Sequence, residues 1–367
     1  MIETNPFKFG SIVDDPFFTD RVHEQKEIRS ILQSSVNLVI ISHRRYGKTS
    51  LIKKVVAGLN RPLIFFDLQL VTDVHDLASQ LLRKVYKVYP FEKIKDILKH
   101  FRIVPSINLN PQTNEVDITF QPKTDILPLL EDVFNLLDRL GNEKNKPIVV
   151  LDEFQEIKLL SPNLDKQLRA IIQLHRNVNY VFMGSVESMM RDIFEKKKSP
   201  FYHFGQLMPL DKIPYTDFHD FISNGFKRQT DSHQLVAGAI LEITNCHPYY
   251  TQQLAYNVWN KWEAQKPLQQ LITEVINYLI QIHDMDFQRL WQNQNQTDKK
   301  ILLSIANDIQ NLLSQANIQA MGFSASSTLF SGLKRLTAQG LIIKTEGQYQ
   351  FDDPFFKKWI ITRRNEN

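Results

Sequence analysis

Cysteine is nearly absent: Cys246 is the only one among 367 residues. One thiol excludes an internal disulfide framework and a thiolate metal cage, and it fits a reducing, cytoplasmic setting. Glycine and proline are sparse, at 12 and 16 residues, which excludes a collagenous or linker-dominated chain. No stretch approaches the roughly 20 uninterrupted apolar residues of a membrane-spanning helix, so a membrane is not an expected partner. The opening MIETNPFKFGSIVDD lacks a basic region followed by an apolar run, and no secretory signal is expected. An excess of one charge is missing too: 44 Lys and Arg against 40 Asp and Glu leave +4, too little for a dedicated nucleic-acid coat. What is present is an ordinary globular mixture, 43% hydrophobic and 23% charged. At about 100–200 residues per domain it is long enough for two or three of them.

Short apolar runs punctuate the first half of the chain. Val36–Ile41, Leu63–Leu68, Ile148–Leu151 and Tyr180–Met183 are each bounded by turn or charged residues, the pattern of buried parallel strands. Amphipathic stretches between them, such as Asp76–Val88 and Asp125–Leu140, suit crossover helices. Strand alternating with helix predicts an α/β fold, a parallel sheet covered by helices on both faces. Ser106–Phe120 breaks this rhythm. Ile107 and Leu109 alternate on one side, Val116, Ile118 and Phe120 on the other, with Asn110, Pro111 and Asn114 as turn residues between them. This is a β-hairpin pattern inserted at about 103–122, either a solubilising excursion or a partner-binding element.

After about residue 212 the strand pattern ends. Tyr215–Trp291 carries helical spacing (Phe218, Phe221, Ile222; Leu254, Val258, Trp262; Ile276, Leu279, Ile280). Trp291–Thr297 is polar and uncharged, the best linker in the chain. Beyond it, helices over Asp298–Ile309 and Ser324–Ala338 precede two short strands, Leu341–Lys344 and Gln348–Phe351, turning at Glu346-Gly347. That order is a winged helix-turn-helix. The expected division is a core at 1–212, a helical segment at 213–290 and a winged helix at 291–367.

Directly after the first strand comes Ser42-His43-Arg44-Arg45-Tyr46-Gly47-Lys48-Thr49-Ser50, then a helical run. This is the G-x-x-x-x-G-K-[ST] phosphate loop with serine in place of its first glycine, in the confirming strand–loop–helix context. Backbone N–H groups of such a loop and of the helix N-terminus face phosphates, and the helix dipole adds favourable potential. Gly47 permits close backbone approach, Lys48 places a point charge on the β- and γ-phosphates, and the Thr49 hydroxyl binds Mg²⁺. If the Ser42 position needs φ > 0, a side chain there costs on the order of 1–2 kcal/mol. A basic surface turn is the plainer alternative.

The third strand runs into Asp152-Glu153. Carboxylates emerging at the C-terminal end of a buried strand lie where α/β sheets place ligands. Asp152 would hold magnesium through water, and Glu153 would orient or deprotonate the water attacking the γ-phosphate. The alternative is a pair capping the next segment. The fourth strand ends in Gly184-Ser185, where Ser185 could sense the γ-phosphate or the attacking water, or cap the helix starting near Val186. Arg169, His175 and Arg176 fall on the preceding predicted helix, a surface from which an arginine could act on a second copy's site.

These segments carry a family resemblance. The chain resembles the archaeal-type P-loop ATPases, an AAA-related group close to the STAND signalling NTPases. The likeness runs through Asn5-Pro6-Phe7 and Phe18-x-x-Arg21-x-x-Glu24, similar to the family's box along the nucleotide base. It continues through Arg44–Thr49, Leu151-Asp152-Glu153-Phe154-Gln155 and Gly184-Ser185. It then takes in Asn245-Cys246-His247-Pro248-Tyr249-Tyr250, with Gln252 or Gln253 as the glutamine of a G-G-H-P-x-x-x-Q segment. Phe351-Asp352-Asp353-Pro354-Phe355-x-x-x-Trp359 matches the close of the family's winged helix. The resemblance implies an ATP-binding core with Mg²⁺, a helical lid whose His247-Pro248 turn faces the nucleotide, and Arg21 beside the base. Two departures stand out: Ser42 for glycine, and Asn245-Cys246 for Gly-Gly.

The recognition-helix region Ser324–Ala338 carries Lys334 and Arg335, with Lys344, Lys357, Lys358, Arg363 and Arg364 nearby. Contacts to about five or six phosphates would give salt-sensitive duplex binding, but few of these side chains suit base edges. Three readings therefore follow from the residues: a MgATP-hydrolysing switch whose arm faces its own core, a protein partner or a second copy; an ATP-gated DNA binder; and a nucleotide binder without turnover.

Overall fold

The computed structural model of the chain describes residues 4–19, 21–109, 116–121, 125–345 and 347–364. Among these, two compact units are delimited, Arg21–Asp211 and the pair of segments Met1–Asp20 and Lys212–Asn367.

The first unit is built on seven strands: β1 (Leu38–Ile41), β2 (Leu63–Asp67), β3 (Ser106–Leu109), β4 (Val116–Thr119), β5 (Ile148–Asp152), β6 (Asn179–Gly184) and β7 (Gln206–Pro209). Five of them form one parallel sheet in the order β2-β5-β6-β1-β7. β1, β5 and β6 are buried at every position, because helices cover both faces of a parallel sheet and leave no polar side. Each fully buried Val, Leu, Ile or Phe contributes about 1.5–3 kcal/mol of transfer free energy. The four strands expected from sequence are present. β7 was not expected: it is four residues long, follows Gly205, ends in proline and leaves Gln206 and Pro209 exposed. Because all five strands run the same way, their C-terminal ends deliver Ser42, Asp67, Asp152 and Gly184-Ser185 to one edge.

The helices Val74–Val88 and Ile126–Leu140 carry apolar faces into the same core as the sheet. β3 and β4 pair antiparallel as a separate hairpin between β2 and β5 in the chain. Ile118 and Phe120 are buried, and Arg83 of the first helix donates to Asp117 Oδ1 and to Ile118 O at 2.9 and 3.2 Å. One face of the hairpin is therefore part of the core, which a solubilising excursion would not need. Its expected turn residues Asn110, Pro111 and Asn114 lie outside the described residues.

The second unit contains the helices Tyr215–Phe226, His233–Thr244, Pro248–Asn260, Leu268–Ile282 and Asp284–Gln292. A winged helix follows: helices Gln296–Ala306, Gln315–Ala320 and Ser326–Ala338, the antiparallel pair β8 (Ile342–Thr345) and β9 (Gln348–Phe351), and the helix Pro354–Arg364. Gly347 is described, and Glu346 of the expected turn lies outside the described residues. One hydrophobic cluster extends from Phe218 to Ile360 without a break. Trp291–Thr297 is thus no flexible linker. Trp291 and Gln294 are buried, Gln294 Nε2 donates to Leu290 O at 3.0 Å, and the Asn295 side chain caps the next helix by accepting from Asp298 N. Residues 4–19 belong to this unit although the expected core began at residue 1. Phe7 packs between Phe221 and Phe226, and Asn5 Nδ2 donates to Tyr256 O at 3.0 Å.

Asn245 and Cys246, at the end of His233–Thr244, have φ of 49° and 55°. Two successive left-handed residues explain why glycine suits this turn. Asparagine tolerates the conformation, whereas the Cys246 Cβ is strained by on the order of 1 kcal/mol. Cys246→Gly should therefore raise the free energy of unfolding by about 0.5–1 kcal/mol in urea titration. A loss of stability would mean that packing of the half-buried thiol outweighs the backbone strain.

Candidate functional site

β1 ends at Ile41, and Ser42 N continues its pairing by donating to Gly184 O at 3.3 Å. The chain then turns through His43–Gly47 into the helix Lys48–Ala57. The left-handed positions of this loop are Arg45, at φ 64°, and Gly47, at φ 89°; Ser42 is not among them. Serine therefore replaces the usual glycine without the backbone penalty that a positive φ would impose. The helix begins with no side-chain cap and no acidic residue in its first turn, so its own sequence does nothing to offset the positive end of its dipole. Lys48 is buried, and its Nζ donates to His43 O at 3.2 Å and Ser42 O at 3.4 Å, curling back over the loop.

β5 brings Asp152 against the start of that helix, where Thr49 Oγ1 donates to Asp152 Oδ2 at 3.4 Å. Glu153 follows at φ 49°, a left-handed turn that swings its carboxylate toward β6. There Glu153 Oε2 accepts from Ser185 Oγ at 2.7 Å, Ser185 N at 3.1 Å and Gln155 Nε2 at 2.6 Å. Arg44 Nε reaches the same Ser185 Oγ at 3.4 Å.

Neighbouring groups push the two carboxylates in opposite directions. Burial raises Asp152 from 3.8 to about 6, the charges of Glu153 and Asp67 add to the rise, and Lys48 opposes it. Burial also pushes Glu153 upward, but hydrogen bonds from Gln155 and Ser185, with the Lys48 charge, outweigh it and leave Glu153 below its ordinary value. Burial lowers Lys48, and Glu153 and Asp152 hold it partly up. The arrangement is a partly desolvated set of one ammonium and two carboxylates with unequal proton affinities.

The remaining expected residues are placed as follows. Arg21 is buried, at φ 60°, with Nη1 donating to Glu24 Oε1 at 2.7 Å and Nη2 to Asp211 O at 2.5 Å and Tyr46 O at 3.4 Å. It ties the start of the helix Val22–Gln33 to the loop. Tyr46 is buried against the His43 ring, His43 Nε2 lies 3.8 Å from Glu187 Oε2, and Ser50 is buried in the first helical turn. His247 and Pro248 belong to the second unit. His247 caps the helix Pro248–Asn260, accepting from Tyr249 N at Nδ1 over 3.2 Å. Arg169 lies on the helix Leu164–Ile172, with its guanidinium 3.9 Å from the Phe204 ring centroid and Nη1 donating to Gln173. His175 and Arg176 follow that helix rather than lying on it, because it ends at Ile172.

Two residues of the site were given no role from sequence. Asp67 is the register partner of Asp152 across β2 and β5, and only strand pairing reveals that adjacency. Gln155 folds back onto Glu153 from the short turn Phe154–Glu156.

Between pH 3.8 and about 6 the folded protein holds the Asp152 proton that the unfolded chain releases, so stability falls as pH rises through that window. Asp152→Asn should stabilise the nucleotide-free protein at neutral pH by about 1–3 kcal/mol, and the gain should vanish below about pH 4. Urea titrations across that range check both, and a pH-independent difference would contradict the raised carboxyl.

Comparisons with known proteins agree with this geometry. No curated protein sequence matches the chain. Among solved structures, the Walker-type ATPase paby2304 of Pyrococcus abyssi is similar, with a TM-score of 0.70 at 17% identity, over 97% of this chain and 99% of that one. The Aeropyrum pernix ORC2 protein, in its ADPNP-ADP complexes, gives a TM-score of 0.55 at 15% identity, over 97% and 98%. At these identities the likeness is one of fold. Residues 285–362 match a family model described as "Probable winged helix domain". Residues 18–254 match the model described as "ATPase domain predominantly from Archaea", and the chain belongs to that family of P-loop ATPases.

Proposed function

We propose that the protein binds MgATP at the C-terminal edge of its sheet and hydrolyses it slowly to ADP and phosphate, as a nucleotide-dependent conformational switch in the cytoplasm. The observation that carries this reading is the convergence of Lys48, Thr49, Asp152, Glu153 and Ser185 beside an uncapped helix N-terminus. On this reading, loop N–H groups from His43 to Ser50 cradle the phosphates, and Lys48 leaves its carbonyl acceptors for the β- and γ-phosphate oxygens. Glu153 orients the attacking water, and Ser185 reports on the γ-phosphate. Membership of an ATPase-domain family supports the chemistry, and the ADPNP-ADP complexes of the Aeropyrum relative support a nucleotide as ligand.

The donor set suits magnesium. Among the described residues no group of three or more His, Cys, Asp or Glu side chains is arranged to hold a metal alone. Magnesium keeps several waters and takes one or two protein oxygens beside phosphate. Thr49 Oγ1 and, through water, Asp152 would hold it, and the ion would offset charge on the β- and γ-phosphates. Glu153 is fixed by three donors before any ligand arrives, which supports slow turnover until a protein partner or a second copy, with an arginine acting in trans, reorganises the site. Arg21 and the His247-Pro248 turn are assigned to the nucleotide side by family resemblance, as base-side support and as the lid.

The winged helix is assigned to a protein-facing arm, because most cations counted for DNA have partners within the unit. Arg335 makes a bidentate ion pair with the buried Asp298, its Nη2 2.6 Å from Oδ1. Lys357 pairs with Asp308, Arg363 with Asp284, and Arg364 donates to Gln288 over the Trp359 ring.

Mg²⁺-dependent phosphate release from ATP should be present in the wild type and reduced by about 10²-fold or more in Glu153→Gln, with ATP affinity retained. Equal release from both would remove Glu153 from the chemistry. Fluorescence anisotropy with random duplex DNA at low salt should show no binding at micromolar protein. Tight binding that falls steeply with salt would favour the ATP-gated DNA binder instead.

A further inference from the structure

We propose that Gln155 is a positioning residue for hydrolysis, the side chain that fixes the Glu153 carboxylate in register with the attacking water; this rests on the reading of Glu153 given above. Gln155 is 1% exposed, an unusual place for an amide unless its geometry matters. Its Nε2 donates to Glu153 Oε2 at 2.6 Å, while its Oε1 is buried with no hydrogen-bond partner. An amide placed for stability alone would satisfy both ends. This one leaves a buried acceptor unmatched while its donor end bonds a carboxylate.

The surroundings hold the amide where it is. Phe154, the preceding residue, is locked among Phe182, Phe194 and Phe201, so the turn carrying Gln155 cannot swing. Gly184 opposes it at the end of β6: a Cβ there would lie 2.4 Å from Gln155 Oε1 and 2.5 Å from Met190 Sδ. The glycine therefore provides the space the amide occupies. Glu153 is at φ 49°, a backbone state that costs energy for a non-glycine residue and orients its side chain toward Ser185 and Gln155. Ser185 supplies two donors from β6 and Gln155 the third from its own strand end, so the carboxylate is gripped from two sides. Removing one side frees it to rotate, and a misplacement of about 1 Å in a catalytic group can cost up to about 10²-fold in rate.

The test is a double-mutant cycle in single-turnover MgATP hydrolysis with the 367-residue chain, using Gln155→Met, Glu153→Gln and the double variant. Methionine matches the volume and lacks the donor. Gln155→Met should lower the rate about tenfold or more, with the ATP concentration at half-maximal rate changed by less than about twofold. In the Glu153→Gln background the same substitution should change the residual rate by less than about twofold, because a residue acting only through Glu153 has nothing left to position. An equal fall in both backgrounds, or no fall in the wild-type background, overturns the proposal while leaving the role of Glu153 intact. Wild-type turnover in Glu153→Gln overturns that role, and this one with it. Should Gln155→Met fail to fold, Gln155→Asn, which keeps the amide but not the reach, serves in the same cycle with the same expected pattern.

Discussion

Burial of the Lys48 ammonium at the edge of the sheet is the constraint on which the rest of the site depends. A buried cation needs acceptors, and the loop supplies the carbonyls of Ser42 and His43 at hydrogen-bond distance. It also needs compensating charge, which Asp152 and Glu153 supply, Asp152 doing so against its own burial. Phosphates fit this arrangement, since they bring acceptors and negative charge to a lysine whose present partners are neutral carbonyls. The parallel sheet makes the meeting possible: its register sets Asp67 beside Asp152 and Ile41 beside Gly184, so residues about 140 positions apart in the chain share one edge.

Backbone strain and charge repulsion meet at the same place. Arg21, Arg45 and Glu153 are three of the ten left-handed non-glycine residues among the described ones, and each lies in or against this edge of the sheet. The apolar strands behind that edge stabilise the fold enough to hold these conformations, as functional sites commonly require. Asp152 and Glu153 illustrate the division of labour. Burial acts on both, yet three hydrogen-bond donors and the Lys48 charge hold Glu153 below its ordinary value, while Asp152 is left with a raised proton affinity.

Much of this was legible in the sequence. Val36–Ile41, Ile148–Leu151 and Tyr180–Met183 declare themselves because strands buried on both faces read as unbroken apolar runs. The phosphate loop and the Asp152-Glu153 pair are legible because spacing and strand context carry their chemistry. What could not be read depends on partners distant in sequence. Arg335 counts as an exposed cation until Asp298 meets it from another helix. Trp291–Thr297 has the composition of a linker, and only packing shows Trp291 and Gln294 inside a continuous core. Ser42 stood as a possible defect of the loop, and the backbone shows the left-handed demand falling on Arg45 and Gly47 instead.

The most direct measurement is calorimetric titration of ATP into wild type and Lys48→Ala, each with and without Mg²⁺. The account predicts one site in the wild type, tightened by Mg²⁺, and loss of detectable binding in Lys48→Ala while its thermal unfolding stays cooperative. Unchanged affinity in a folded Lys48→Ala would contradict the assignment of this sheet edge to the phosphates.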